Sequence, residues 1–184
     1  FPVAPVVEAG ARPRLRRDIS EVFSREKVNV TAANTLTKQH LARMGFTIEV
    51  AGVEQLKRAP ALVREAIGDD CAIATRICID GRDGVPGVHV DDMLEFVRLV
   101  DPLVDLFDVI VGSWPEDSGT SRYYPEGHQL PWSSRVREAT STPIVGVGRY
   151  TNPDQMAQVI RSGAFDLIGA ARPAIADPFL PRKV

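Results

Sequence analysis

Two short segments near the end of this 184-residue chain constrain its fold more than anything else in it: Ile144-Val145-Gly146-Val147-Gly148-Arg149 and Leu167-Ile168-Gly169-Ala170-Ala171-Arg172-Pro173. Each is an apolar run that opens into small residues and ends on an Arg, and a helix-like segment separates the two. Small residues let a backbone approach a ligand closely, and exposed N–H groups beside a guanidinium suit a phosphate. Two such ends on adjacent parallel strands are what the last two strands of a (β/α)₈ barrel need to hold a cofactor phosphate. Tight packing, or surface ion pairs of Arg149 and Arg172 worth little stability, is the plainer reading of the same residues.

The pattern between Lys27 and Val184 supports that architecture. Val28-Asn29-Val30-Thr31 is strand-like, Leu36 to Arg43 helix-like with Gly45 at a C-cap position, and Phe46-Thr47-Ile48-Glu49-Val50 alternates as a strand. Val53 to Ile67 reads as a helix interrupted at Pro60. Cys71 to Ile79 is the next strand, with Ala72, Ala74, Arg76 and Cys78 on one face and Ile73, Thr75 and Ile77 toward helices. A helical stripe follows at Met93, Phe96, Val97, Val100 and Val104, then a strand from Leu106 to Val111 and a helix within Leu130 to Thr140. Asn152-Pro153-Asp154 is a helix start, with a capping side chain, Pro in the first turn and an acid beside the dipole. Strands alternating with helices in this way argue for an α/β fold: a partial TIM barrel with a parallel sheet, made of the C-terminal strands and helices. Residues 27–184 are assigned to it. Residues 1–26, broken by Pro2, Pro5 and Pro13 and carrying Arg12, Arg14, Arg16 and Arg17, read as a poorly ordered leader or an anion-binding arm.

Composition limits the function classes. A chain 44% hydrophobic and 25% charged, with a net charge of −2, is an ordinary globular domain and gives no support for nucleic acid or membrane as a main partner. It is shorter than the ~200–250 residues of a complete barrel. Cys71 and Cys78 point to opposite strand faces and cannot pair, which with no signal peptide implies a reducing cytoplasm. His40, His89 and His128 have no metal-ligand spacing, so no protein-only metal site is expected. The start at Phe1 and the end at Pro181-Arg182-Lys183-Val184 lead to the expectation of a fragment.

Two further constellations carry chemistry. Arg76 on the inner face of a strand needs a carboxylate or an electron-rich ligand edge to receive it; a structural ion pair would also serve. The loop Gly112-Ser113-Trp114-Pro115-Glu116-Asp117-Ser118-Gly119-Thr120-Ser121-Arg122-Tyr123-Tyr124 follows a strand directly. Its aromatic beside carboxylates could bind an organic cation, or the Trp could serve as a hydrophobic lid.

From about Leu62 onward these strings resemble the barrel of the Old Yellow Enzyme superfamily, in its trimethylamine, dimethylamine and histamine dehydrogenase branch of NADH:flavin oxidoreductases. The strings are Asp70-Cys71-Ala72-Ile73-Ala74-Thr75-Arg76, Trp114 to Arg122, Val145-Gly146-Val147-Gly148-Arg149-Tyr150 and Gly169-Ala170-Ala171-Arg172-Pro173-Ala174-Ile175-Ala176-Asp177-Pro178. The resemblance implies FMN as cofactor and an amine or NAD(P)H-linked small-molecule substrate. It implies that Arg76 approaches the N1/C2 carbonyl edge of the flavin, and that Gly148, Arg149, Ala171 and Arg172 hold its phosphate. Trp114 matches an aromatic of the substrate bowl, and Asp117 the carboxylate of an active-site Tyr–His–Asp triad. The 4Fe-4S cysteines of full-length relatives would lie beyond Val184. The first four barrel strands of the family find no motif in residues 1–61, although that stretch could supply two β/α-like units. Two other readings stand beside this one. One is a non-catalytic remnant that binds at most a phosphate and self-associates through open sheet edges. The other is an unrelated phosphate-binding lyase or isomerase, which the lack of a Lys at the strand ends disfavours.

Overall fold

In a computed structural model of the chain, the described residues are 2–10, 14–38, 41–49, 53–69, 71–81, 89–112 and 123–183. They form seven strands: β1 (Pro2–Gly10), β2 (Asn29–Lys38), β3 (Leu41–Glu49), β4 (Ala72–Asp80), β5 (Leu106–Val111), β6 (Ile144–Gly146) and β7 (Leu167–Ile168). The hydrogen-bonded order is β2-β3-β1-β4-β5-β6-β7. The helices are α1 (Leu15–Arg25), α2 (Val53–Ile67), α3 (Val90–Val100), α4 (Leu130–Ser133), α5 (Pro153–Arg161) and α6 (Ala171–Ala176). The chain divides into two compact units, Phe1–Ile77 with Arg98–Phe107 and Cys78–Val97 with Asp108–Val184.

The first unit departs from the sequence expectation. Residues 2–10 and 15–25, read above as a leader, are strand β1 and helix α1. On α1, Ile19 and Phe23 lie one turn apart and are fully buried, while Arg16 and Arg17 face solvent and Arg17 Nε bonds Glu21 at 2.6 Å. The prolines misled because Pro2 and Pro5 fall inside a strand rather than between elements. Within the segment Leu36 to Arg43, read as a helix, residues 36–38 and 41–43 belong to the antiparallel strands β2 and β3, with Lys38 opposite Leu41. Gly45 therefore sits within β3 rather than at a helix end. Helix propensities differ by only ~0.5 kcal/mol per residue. Burying Met44, Phe46 and Ile48 on one face of β3 stabilises by ~1.5–3 kcal/mol for each side chain, so the strand wins. Helix α2 also runs unbroken through Pro60. The ~3 kcal/mol penalty of an interior Pro is offset by burial of Leu62, Val63 and Ile67 at ~1.5–3 kcal/mol each.

β1 pairs antiparallel with β3 on one side and with β4 on the other, Ala4 opposite Arg76 and Glu8 opposite Ala72. The sequence β1-α1-β2-β3-α2-β4 with strand order β2-β3-β1-β4 is the split βαβ arrangement. The two β/α-like units anticipated in residues 1–61 are replaced by this antiparallel layout.

From β4 onward the expected parallel α/β pattern holds. β4 buries Ile73, Thr75, Ile77 and Ile79 and turns Ala72, Ala74, Arg76 and Cys78 to the other face. Cys71 is buried and Cys78 half-buried, and both are free. β6 and β7 run parallel with Val145 opposite Leu167 and Gly146 opposite Ile168. In the second unit the core includes Ile79, Leu94, Phe96, Val97, Val109, Val111, Val136, Ile144, Tyr150, Val159 and Phe165.

An identical device recurs where strands begin. Asp105, just ahead of β5, donates its N–H to Ile73 O at 2.8 Å, and its Oδ2 accepts from Ile73 N at 2.7 Å and Arg64 Nη2 at 2.6 Å. Asp166, just ahead of β7, donates to Ile144 O at 3.0 Å, and its Oδ2 accepts from Ile144 N at 2.8 Å and from Arg137 Nη2. Each Arg also binds carbonyls of both connections that meet there: Cys71, Gly68 and Leu103 for Arg64, Thr142 and Gly163 for Arg137. The two clamps repeat one charged network at the N-terminal ends of the strands.

Candidate functional site

The parallel register of β6 and β7 brings the two glycine–arginine ends together. Gly169 N donates to Gly146 O at 2.9 Å, so both chains leave the sheet side by side in the same direction. After β6 come Gly148 and Arg149; after β7, Ala171 and Arg172 open the short helix α6, and both arginines are exposed.

Gly148 is required by its backbone. Its φ is +152°, and a Cβ there would meet Gly127 Cα at 3.3 Å and Gln129 N at 3.5 Å. Arg149 has φ 64°, a left-handed conformation that costs a non-glycine residue on the order of 1–3 kcal/mol. Its Nη1 donates to Tyr124 O at 2.9 Å. Tyr150 then turns inward and is 2% exposed; burial, aided by the Glu126 charge, raises its phenol pKa. Asn152 caps α5 as its sequence promised, its side chain accepting from Asp154 N at 2.9 Å.

The segment beneath this turn was not singled out from sequence. Gly127 N donates to Gly148 O at 2.8 Å. Glu126 accepts the Thr151 hydroxyl on Oε1 and Asn152 N on Oε2 at 3.2 Å. The Thr151 bond comes first among the causes that hold the Glu126 carboxyl below its ordinary pKa, with the Asn152 amide and the Arg149 charge adding to it against some desolvation. Gln129, 1% exposed, accepts Val111 N at 3.0 Å through its side chain and so ties the end of β5 to the same segment. The usable signal was Glu126-Gly127-His128-Gln129, a polar run between two strands that is too short for an element of its own.

Arg76 lies on the exposed face of β4 in the first unit. Trp114 and Asp117 lie outside the described residues. Among the described residues, no group of His, Cys, Asp and Glu could hold a metal ion, and no helix is long and apolar enough to cross a membrane.

Residues 42–184 match the NADH:flavin oxidoreductase / NADH oxidase family. The chain belongs to this family. Its similarity to dimethylamine dehydrogenase of Hyphomicrobium sp. (strain x) is 48% identity over 126 residues, covering 66% of this chain and 17% of that protein. Among solved structures, histamine dehydrogenase from Rhizobium sp. 4-9 is 43% identical with a TM-score of 0.63, covering 70% of this chain and 19% of that one. The 6-hydroxypseudooxynicotine amine oxidase from Pseudomonas geniculata N1 is 44% identical with a TM-score of 0.62, covering 71% and 20%. The chain thus spans about a fifth of the length of these relatives. Residues 1–65 also match the ACT domain, overlapping the first match over residues 42–65, and it is in this stretch that the β1-α1-β2-β3-α2 layout stands.

The family is one of FMN-dependent oxidoreductases, and the residues present fit one end of that cofactor. Two exposed guanidinium groups stand where the chain leaves β6 and β7, a donor set suited to a phosphate dianion, while Gly148 itself is packed against Gly127 and Gln129.

Proposed function

We propose that this chain carries the flavin-phosphate end and part of the substrate loop of an FMN-dependent amine-oxidising enzyme. The observation that carries the reading is the parallel pairing of β6 with β7, which sets the Gly148–Arg149 turn beside the Ala171–Arg172 end. FMN, when bound, supplies two-electron redox chemistry to such a site. Arg149 and Arg172 would hold its phosphate by charge-assisted hydrogen bonds, and Arg76 would face the electron-rich edge of the ring. Trp114 and Asp117 would position an amine, the aromatic by its face and the carboxylate by its charge. The relatives' names, dimethylamine dehydrogenase, histamine dehydrogenase and an amine oxidase, support an amine as substrate class. Two free cysteines support a reducing, cytoplasmic setting.

One observation favours a second reading, a non-catalytic relative of these enzymes. In a barrel β4 would have a parallel strand on both flanks, but here β1 lies antiparallel along Ala72–Arg76. β2, at the end of the strand order, is exposed from Thr31 to Leu36 and bears no charge there, an edge open to a second copy.

Titrating the chain with FMN and with riboflavin, which lacks the phosphate, separates these readings. Weak binding with a clear preference for FMN is the expected result, since a pocket normally encloses most of a ligand and only its phosphate end is supplied here. Arg172→Ala should abolish that preference, because each charge-assisted bond is worth roughly 1.5–3 kcal/mol, or more than tenfold in affinity. Equal affinity for the two flavins would remove the phosphate reading. Concentration-dependent oligomers without flavin binding would establish the second.

A further inference from the structure

Glu126 is a carboxylate standing beside a turn read as a phosphate site, where a bare negative charge would be unfavourable. Its surroundings explain why it is tolerated. Oε1 receives the Thr151 hydroxyl, Oε2 receives the Asn152 amide, and the Arg149 guanidinium lies close enough to offset its charge. The neighbouring residues act on the same turn: Gly127 N holds Gly148 O at 2.8 Å, and Tyr124 O holds Arg149 Nη1 at 2.9 Å. Residues 124–127 therefore fasten residues 148–152 at four points. The turn needs fastening, because Arg149 at φ 64° is in a conformation that its own backbone disfavours.

We propose that Glu126 is a positioning residue for the flavin phosphate, acting through Thr151 and Asn152 to hold the Gly148–Arg149 turn, and with it the exposed Arg149 guanidinium, in place for an anion. The proposal rests on the phosphate reading above. The position calls for an acceptor at the Asn152 amide, which can only donate, and a partner for the Thr151 hydroxyl. A glutamine can keep both contacts, its oxygen on the Asn152 amide and its NH₂ on the Thr151 hydroxyl oxygen, whereas an alanine keeps neither. Helix α5 does not do the job by itself: its Asp154 N–H is already taken by the Asn152 cap, and Pro153 has no N–H to give.

The test uses the full chain with two probes, FMN and riboflavin, followed by flavin fluorescence, together with amide hydrogen exchange. Glu126→Ala, which removes both bonds, should weaken FMN about tenfold and leave riboflavin unchanged. Exchange should quicken at Asn152 and Gly127, with the Ile73 and Asp105 amides unaffected. Thr151→Val, which keeps the side-chain shape and removes the donor, should reproduce the loss, and the double variant should lose little more than either alone. Unchanged FMN affinity in both variants overturns the role of Glu126 even if exchange quickens. Equal loss of FMN and riboflavin, or faster exchange throughout the chain, overturns it too, because Glu126 would then support the fold and not the turn. A wild-type chain with no preference for FMN fails differently: it removes the phosphate reading itself, and the proposed role with it.

Discussion

Gly146→Ala should destabilise the second unit by about 3 kcal/mol, the upper end of what overpacking a filled core costs. At 2–4 °C per kcal/mol, a drop in Tm of roughly 10 °C is expected. A Cβ at Gly146 would collide with the Phe165 ring, which is 1% exposed and has no room to retreat. Gly169 gives the contrast. Its Cβ would meet the tip of Val147 at 2.7 Å, a terminal methyl that a rotamer change can move, so Gly169→Ala should cost less. The mechanism is checked by a double-mutant cycle. Phe165→Leu should lower stability alone yet recover part of the Gly146→Ala loss, giving a favourable coupling energy measurable by urea unfolding. A Gly146→Ala chain that melts like the wild type would mean that glycine serves only backbone approach to a ligand at this position.

The same glycine shows where sequence reading works. Gly146, Gly148, Arg149, Ala171 and Arg172 stand out because each follows an apolar run too short for anything but a strand. The sheet then pairs those runs in parallel, as the intervening helix requires. β4 was legible for a related reason: its period of two is unbroken from Ile73 to Ile79. The N-terminal region was not, because Leu36 to Arg43 contains good helix formers, and only long-range pairing and the burial of Met44, Phe46 and Ile48 decide for strands. Local propensity is weaker than tertiary packing there. The clamps and the Glu126 brace escaped for a third reason. Arg64 bonds Asp105 across 41 positions, Arg137 bonds Asp166 across 29, and Glu126 reaches Thr151 across 25. No periodicity records such pairs, although an Asp immediately ahead of a strand, as in Asp105-Leu106 and Asp166-Leu167, is a repeat that can be searched for.

Removing either clamp should be nearly as damaging as filling the glycine. Asp166→Ala takes the acceptor from Ile144 N–H, at a residue that is fully buried, and leaves Arg137 without its carboxylate. An unsatisfied buried amide alone costs about 1–3 kcal/mol. Asp105→Ala should cost a similar amount through Ile73 N–H, whose residue is equally buried. The two variants should add in the double mutant, since they share no partner. Replacing Asp166 by Asn separates charge from shape and gives the effect a pH signature. Burial works against the Asp166 carboxylate, yet the Ile144 amide and the Arg137 guanidinium outweigh it and hold the native pKa below the ordinary 3.8. A carboxyl that binds its proton less readily in the folded state contributes stability above its unfolded pKa and loses it as pH falls through the native value. The gap in stability between wild type and Asp166→Asn should therefore be full at pH 7 and close below about pH 4. Its closing should be measured by urea unfolding at a series of pH values. A gap that stays constant into acid would mean that Asp166 acts by shape and hydrogen bonding alone, with the Arg137 charge contributing nothing.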